Sequence, residues 1–340
     1  MDADHRMTLQ EFLAEWQSAD PTLTVHTSGS TGKPKMLRVE KARMRASARM
    51  TCRFLNLKPM QTALLCMPLD YIAGKMMVVR ALEADLKLWH VPPTSYPLAS
   101  LQQAPHFAAM VPLQVFHTLQ VPRERELLMQ IRHLIIGGGA VSDEMAAQLK
   151  DFPHAVWSTY GMTETLSHIA LRRLNGKEAS AWYTPLPTVS ISLNEEGCLV
   201  IDAPEVCPTT LVTNDRAVLS ADGTRFRILG RKDNIINSGG IKIQIEEVER
   251  LLAPVMPVPF LITHTPDARY GEAVTLLYES ERADGELLSA VCTLCSQVLP
   301  RYWRPKLFLN VPALPLTPTG KPARAEAHAL ACALRESLNG

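Results

Sequence analysis

A run near the amino terminus, His26-Thr27-Ser28-Gly29-Ser30-Thr31-Gly32-Lys33-Pro34-Lys35, gathers hydroxyls, glycines and two lysines. Backbone amides, hydroxyls and ammonium groups in that mixture can hold a polyphosphate through charge-assisted hydrogen bonds. The commonest phosphate loop needs four residues between its first glycine and a Gly-Lys pair that opens a helix. Here Gly29 and Gly32 are three apart, and Pro34 follows Lys33. Proline disfavours helical backbone in the residue before it, so no helix opens at Lys33. Taken alone, the run is either a phosphate-holding loop without a helix behind it or a polar surface loop.

Four more groups of residues could do chemistry. In Ser158-Thr159-Tyr160-Gly161-Met162-Thr163-Glu164-Thr165, Glu164 offers hard oxygens to Mg²⁺ and Tyr160 offers a ring to a base. Glu164 could equally be the first-turn acid of a helix. Asp215, in Thr213-Asn214-Asp215, could accept two hydrogen bonds from a vicinal diol, as an acid does on ribose, or lie in a surface turn. About fifteen residues later comes Gly230-Arg231-Lys232-Asp233. The adjacent Gly239 and Gly240 imply left-handed backbone or a close approach of another group. Finally, Leu316-Thr317-Pro318-Thr319-Gly320-Lys321 is a rigid turn presenting one lysine, or a plain surface loop.

The elements that must position these groups alternate through the first two thirds of the chain. Short apolar runs at 62–69, 86–91, 106–111, 133–139 and 155–161 read as strands. Residues 40–56 and a stretch ending at Ala84 read as helices. Ser142 caps a helix over 142–152, with Asp143 and Glu144 in its first turn. Such alternation predicts α/β layers with sites at the carboxyl ends of strands. Beyond about residue 185 the pattern changes to a hairpin over 189–201, a strand over 225–230 and a unit of short strands with helices near 244–252 and 285–299. The predicted domains are 1–232 and 233–340.

Bulk properties narrow the class. Hydrophobic residues make up 46% and charged residues 20% of the 340, which suits a globular protein with a large core. The net charge of +1 argues against nucleic acid or an anionic membrane surface as partner. No apolar run of membrane-spanning length is present, and the first ten residues do not read as a signal peptide. Seven cysteines without a framework spacing point to reduced thiols and a cytoplasmic setting. Cys292 and Cys295 form a C-x-x-C with no second pair, which reads as a buried helical turn.

Together the motifs TSGSTGKPK, STYGMTET, TND, GRKDNIINSGGIKIQIEEVE and LPLTPTGKPAR resemble the adenylate-forming superfamily of acyl-CoA synthetases, firefly luciferase and peptide-synthetase adenylation domains. They run from residue 27 to 324, almost the whole chain. The resemblance implies a large N-terminal α/β domain of layered sheets and helices, shortened at its amino end, plus a small mobile α+β C-terminal domain. It implies ATP, Mg²⁺ and CoA as ligands. Thr27, Ser28, Gly29, Ser30, Thr31, Gly32 and Lys33 would wrap the β,γ-phosphates. Tyr160 and Gly161 would meet adenine, with Gly137, Gly138 and Gly139 close by. Thr163 would contact the α-phosphate, Glu164 would bind Mg²⁺, and Asp215 with Arg231 would hold the ribose. Lys321 would bridge the substrate carboxylate and the α-phosphate. Asp233 would be a hinge whose rotation withdraws Lys321 and brings Gly239 and Gly240 to a pantetheine tunnel.

The acid is addressed by LDYIAGKMMVVRAL (69–82). Members of the superfamily often carry an aromatic-His pair before the glycine; here Asp70-Tyr71 stands there. Lys75 and Arg80 interrupt an apolar helix, either as cations snorkelling to solvent or as groups that bind an extra carboxylate. Arg80 lies six residues after Gly74, a spacing similar to that of the o-succinylbenzoate–CoA ligases of menaquinone biosynthesis. That likeness implies an aromatic dicarboxylate substrate recognised by Gly74, Lys75, Arg80 and Ser158. Alternatives left open are another aryl or acyl acid, a carrier-protein thiol in place of CoA, and a non-catalytic nucleotide-binding relative. A homodimer is also left open.

Overall fold

A computed structural model describes residues 7–26, 36–281, 284–317 and 322–339. The chain divides into two compact units. The first comprises Met1–Asn194, Val200–Val212 and Leu219–Arg227; the second comprises Glu195–Leu199, Thr213–Val218 and Ile228–Gly340.

The first unit opens with α1 (Leu9–Gln17), started by a capping box in which Thr8 and Glu11 satisfy each other's backbone amides. Strands β1 (Thr22–His26) and β2 (Met36–Glu40) pair antiparallel. Then follow α2 (Lys41–Phe54), β3 (Thr62–Leu65), α3 (Ile72–Glu83), β4 (Lys87–His90), β5 (Phe107–Met110), α4 (Pro112–Gln120), α5 (Pro122–Gln130), β6 (His133–Ile136), α6 (Asp143–Leu149), β7 (Ala155–Gly161), β8 (His168–Arg173) and β9 (Thr184–Pro185). Both α4 and α5 start on a proline, whose fixed φ suits the first turn and whose missing N–H is not needed there.

A seven-stranded sheet runs in the order β4-β3-β5-β6-β7-β8-β9. Strands β3 to β7 are parallel; β8 pairs antiparallel with β7, and β9 at the edge pairs antiparallel with β8. The inner parallel strands β3, β5 and β6 are short, apolar and buried along nearly their whole length, as in β5 (Phe-Ala-Ala-Met), whereas β4 at the edge is partly exposed. Parallel sheets require this, since helices cover both their faces. The strand order reverses between β3 and β5, and ligands of open α/β sheets lie at such a switch, outside the carboxyl ends.

Strands β10 (Ser190–Leu193), β11 (Cys198–Asp202), β12 (Leu211–Leu219) and β13 (Phe226–Arg231) come next. The second unit continues with β14 (Ile235–Ser238), β15 (Ile241–Gln244), α7 (Ile245–Leu252), β16 (Phe260–Asp267), β17 (Gly271–Glu279), α8 (Gly285–Val298), β18 (Leu307–Val311) and α9 (Arg324–Asn339). Its sheet has the order β15-β14-β17-β16, and β18 joins β17 in parallel. Neighbouring residues of a strand face opposite ways, and this sheet is apolar on both sides. Ile262 and Leu276 pack with Val248, Leu252, Val291 and Cys295 on one face. Leu261, Leu277 and Leu309 pack with Ala327 and Ala331 of α9 on the other. Each such leucine or isoleucine stabilises the unit by about 1.5–3 kcal/mol. Cys292 and Cys295 lie in α8, and burial raises the Cys295 thiol to about 11. All seven cysteines are free thiols.

The layered α/β architecture expected from the alternation is thus observed. Among the described residues, no helix is long and apolar enough to cross a membrane.

Candidate functional site

Register places two predicted groups side by side. Ile136 of β6 pairs with Ser158 of β7, so the loop Gly137–Gly139 leaves the sheet beside Thr159, Tyr160 and Gly161. A Cβ on Gly137 would lie 2.4 Å from Thr159 Oγ1, and Gly138 has φ of +77°. No larger residue fits the first position, and the second is left-handed.

Beyond β7 the chain is tightly constrained. A Cβ on Gly161 would stand 2.3 Å from the carbonyl of Ser167. Thr163–Thr165 form one 3-10 turn. The Met162 amide donates to Thr165 Oγ1 at 3.0 Å, and that hydroxyl donates to the Ser167 carbonyl at 2.8 Å. The Ser167 amide donates to the Thr165 carbonyl at 2.7 Å across Leu166, whose φ is +65° and ψ −35°. This is a γ-turn of the strained hand. Buried Thr165 and Leu166 hold it down, while Glu164 is exposed. Strain of this kind persists only where its surroundings over-determine it, and it concentrates at functional sites. A single carboxylate on a fixed turn suits Mg²⁺, which keeps its waters and takes one or two protein acids beside substrate phosphates. Among the described residues no cluster of three or more His, Cys, Asp or Glu side chains forms a metal cage.

Tyr160 joins an aromatic shelf. Its ring centre is 5.1 Å from Phe226 and 5.9 Å from Tyr183, and the latter two stack at 5.5 Å. Ser158 is buried and its Oγ is 2.9 Å from Tyr183 Oη. The Arg172 guanidinium lies over the Tyr183 ring at 5.4 Å. Tyr183 escapes motif reading; its only signal is an aromatic pair, Trp182-Tyr183, in an irregular stretch.

The structure separates the two cations of α3. They are five residues apart, which is roughly 140° around a helix. Lys75 Nζ donates to the Thr24 carbonyl at 3.1 Å, lies 3.7 Å from a Glu15 oxygen and sits over the Phe12 ring at 5.6 Å. Burial lowers its pKa, opposed by Glu15 and Asp70. Arg80 faces elsewhere. It is 2% exposed; Nη2 donates a short hydrogen bond to Ser167 Oγ, and Nε has no partner. No ion pair to Arg80 occurs among the described residues. Burial pushes its pKa down to about 10. Next to it His168 is held neutral by burial and by Arg80, with Nε2 3.0 Å from Thr51 Oγ1. Gly74 is a packing residue: a Cβ there would stand 2.3 Å from the Pro68 carbonyl.

The second unit assembles Asp215, Arg231 and Asp233. Arg231 donates to Asp233 at 2.6 Å and lies 3.5 Å from Asp215. Asn214 Nδ2 donates to both Asp233 oxygens at 3.2 Å. Gln244 Nε2 donates to the Arg231 carbonyl at 2.8 Å. Gly239 and Gly240, with φ of +58° and +82°, form the two-residue turn between β14 and β15. Left-handed backbone at both positions matches the twist of a tight hairpin.

The phosphate-loop residues Thr27–Lys33 and Lys321 lie outside the described residues. Their flanks are described. Val25 pairs with Leu37 and His26 with Met36 on either side of 27–35. Leu316 bridges Pro322, and the Ala323 amide donates to the Pro315 carbonyl at 3.0 Å on either side of 318–321.

The glycine-lined, strained loops lie at the carboxyl ends of the strands of an α/β sheet, where ligands of such folds bind. Residues 3–208 match the model of the AMP-binding enzyme family, and the chain belongs to that family. It is 28% identical over 270 residues to the 2-succinylbenzoate–CoA ligase of Haemophilus influenzae, an alignment covering 72% of this chain and 57% of that enzyme. With the 2-succinylbenzoate–CoA ligase of Enterococcus faecalis it is 26% identical, covering 94% of this chain and 72% of that enzyme. The chain therefore spans well short of the full length of these relatives. Among solved structures, an AMP-forming acyl-CoA synthetase-like protein from Dyadobacter fermentans matches with TM-score 0.63 and 35% identity, over 93% of this chain and 91% of that one. The o-succinylbenzoate–CoA synthetase of Bacillus subtilis, solved with ATP and magnesium, shares the fold with TM-score 0.73 and 21% identity, over 89% of this chain and 69% of that one.

Proposed function

We propose that this chain is an ATP-dependent acid–CoA ligase that works through an acyl-adenylate, and that its acid is o-succinylbenzoate. The observation that carries the choice of acid is the buried Arg80 guanidinium, with Nε unpartnered and no ion pair among the described residues. A buried cation is stable only when paired and hydrogen-bonded. A ligand carboxylate would supply the missing partner, and an acid activated at one carboxylate needs a second one to do so. Ser167 already orients the guanidinium.

In this reading Thr27–Lys33 hold the β,γ-phosphates, Tyr160 with the glycine loop receives adenine, and Glu164 binds Mg²⁺. Asp215 and Arg231 hold the ribose. A carboxylate oxygen of the acid bonds to the α-phosphorus, the bridge to the β-phosphate breaks, and pyrophosphate leaves. Lys321 and Thr163 stabilise the charge that develops there. Residues 233–340 then rotate about Asp233 relative to 1–232. The CoA thiolate, passing Gly239 and Gly240, bonds to the acyl carbon, and AMP leaves. One pocket so serves two half-reactions by domain movement. The free cysteines accord with a cytoplasmic setting.

Another aryl acid is the second reading. A 4-chlorobenzoate–CoA ligase of an Arthrobacter species is 26% identical over 90% of this chain. Pyrophosphate release over a panel of acids in the presence of CoA tests the proposal.

A further inference from the structure

Behind Arg80 lies a line of hydroxyls and one imidazole that the proposed reaction does not use. Arg80 Nη2 donates to Ser167 Oγ. Ser167 Oγ lies 3.4 Å from His168 Nδ1, and His168 Nε2 lies 3.0 Å from Thr51 Oγ1. Thr51 Oγ1 in turn donates to the Ser47 carbonyl, one turn back in α2, at 3.2 Å. Arg80, His168, Thr51 and Ser47 are all buried, at 6% exposure or less.

The partners set the direction of this line. The Ser47 carbonyl can only accept, so the Thr51 hydroxyl points its hydrogen there and keeps its lone pairs for His168. His168 Nε2 then carries the hydrogen of the ring. Burial, and after it Arg80, holds the ring neutral, which leaves Nδ1 bare as an acceptor. The Ser167 hydroxyl donates to Nδ1, and its oxygen meets Arg80 with a lone pair. Each donor finds an acceptor, from the guanidinium to the backbone of α2.

Burial alone does not call for this arrangement. Thr51 is already satisfied within α2, by a bond that threonines in helices commonly make. His168 reaches it from an irregular point of β8. Strands β7 and β8 shift register between Tyr160 and Gly161, so that Tyr160 pairs with Ala170 but Gly161 with His168. Bulges of this kind gather next to active sites, where they re-aim a side chain. The line ends on a buried cation whose Nε has no partner among the described residues.

We infer that His168 and Thr51 are positioning residues for recognition of the acid: with its hydrogen on Nε2, His168 holds Ser167 as an acceptor, and Ser167 holds the Arg80 fork with its free N–H groups towards the carboxylate that is not activated. The inference rests on the role proposed for Arg80. A planar guanidinium grips a carboxylate best when two parallel N–H groups meet it together, and a rotated fork loses one of them. Thr51 and His168 act through Arg80 and take no part in acyl transfer. All four side chains of the line belong to the first unit.

The test compares Thr51→Val, Thr51→Ser, His168→Leu and Arg80→Met in the full chain. Pyrophosphate release with CoA present is followed at varied o-succinylbenzoate and at varied ATP, and thermal melts report folding. Histidine labelled with ¹⁵N reports the His168 tautomer at neutral pH, its signal assigned by its shift in Thr51→Val. The expected tautomer is a neutral ring protonated on Nε2. The expected kinetics are a KM for the acid raised roughly 3- to 10-fold in Thr51→Val and His168→Leu, as for loss of one net hydrogen bond, with the KM for ATP within about twofold of the starting protein. Thr51→Ser keeps the hydroxyl and should keep the KM for the acid. Thr51→Val preserves the shape of the side chain and decides the kinetic arm if His168→Leu fails to fold. An unchanged KM for the acid in Thr51→Val, while Arg80→Met loses the acid, would overturn the positioning role alone. A ring protonated on Nδ1, or charged, would also overturn it, because Ser167 would then receive hydrogens from both sides. An unchanged KM for the acid in Arg80→Met would instead remove Arg80 from the pocket, and the positioning role with it.

Discussion

The Arg231 guanidinium joins two carboxylates: it bonds Asp233 at 2.6 Å and lies 3.5 Å from Asp215. In the proposed mechanism these are the hinge and the ribose acceptor. A single side chain thus links nucleotide contact to the point of rotation. Arg231 and Asp233 are 37% and 49% exposed, so the pair contributes at most ~1 kcal/mol to stability. Arg231→Ala is expected to leave the thermal melt nearly unchanged while raising the KM for ATP at least several-fold. Steady-state kinetics at varied ATP check this, and an unaltered KM would remove Arg231 from the nucleotide site.

Arg80 gives the opposite pairing of effects. Replacing a buried ion by an apolar side chain of similar volume is often neutral or stabilising, by about 1–4 kcal/mol. Arg80→Met should therefore melt no lower than the starting protein. Its affinity for o-succinylbenzoate should fall by at least ~10-fold, the loss of one charge-assisted bond at ~1.5 kcal/mol or more. ATP binding should be unchanged. Calorimetric titration of the acid and the nucleotide separates these outcomes.

Acid should destabilise the fold through its neutral histidines. His133 is lowered from 6.5 to about 4, chiefly by burial and then by His106 and Arg173. His168 is also held well below 6.5, by burial and then by Arg80. Each group is neutral in the folded protein where the unfolded chain would bind a proton. Their contribution is thus fully present above pH ~6.5 and is lost as pH falls towards 4 and below. Denaturant melts from pH 7.5 to 4.5 should show the decline, and His133→Leu should flatten it. A pH-independent midpoint would contradict the buried, neutral state.

The hairpin glycines permit a test of the thioester step. A Cβ on Gly240 meets nothing within 4 Å, and the φ of +82° is one that asparagine tolerates. Gly240→Asn should cost only a few tenths of a kcal/mol if the turn is retained, as side chains with left-handed preference are accepted there. It should nonetheless slow thioester formation from supplied adenylate while leaving pyrophosphate release intact. Equal rates for both half-reactions would place CoA elsewhere.

Much of the fold was readable in the chain because its strands are short apolar runs separated by turn residues. The runs at 106–111 and 133–139 are β5 and β6. The intervening PLQVFHTLQVPRERELLMQ forms α4 and α5, whose starts are marked only by Pro112 and Pro122. Among site residues, the cations of α3 were visible as polar breaks in an apolar helix. Their divergence was not, since it depends on α1 and β1 packing against one side, around Lys75, and on Ser167 and His168 meeting the other. Those contacts join residues 51 positions apart for Lys75 and Thr24 and 87 apart for Arg80 and Ser167, and no local pattern encodes them. The γ-turn at Leu166 was likewise hidden, because a leucine carries no signal for left-handed backbone.

In the proposed function this chain activates o-succinylbenzoate with ATP and passes it to CoA. The most direct measurement is pyrophosphate release, with thioester detected by mass, over a panel of aryl, succinyl-aryl and aliphatic acids with ATP, Mg²⁺ and CoA. The expected result is the highest kcat/KM for o-succinylbenzoate and formation of o-succinylbenzoyl-CoA. A preference for a monocarboxylate, or no release with any acid by a protein that still binds ATP, would contradict it.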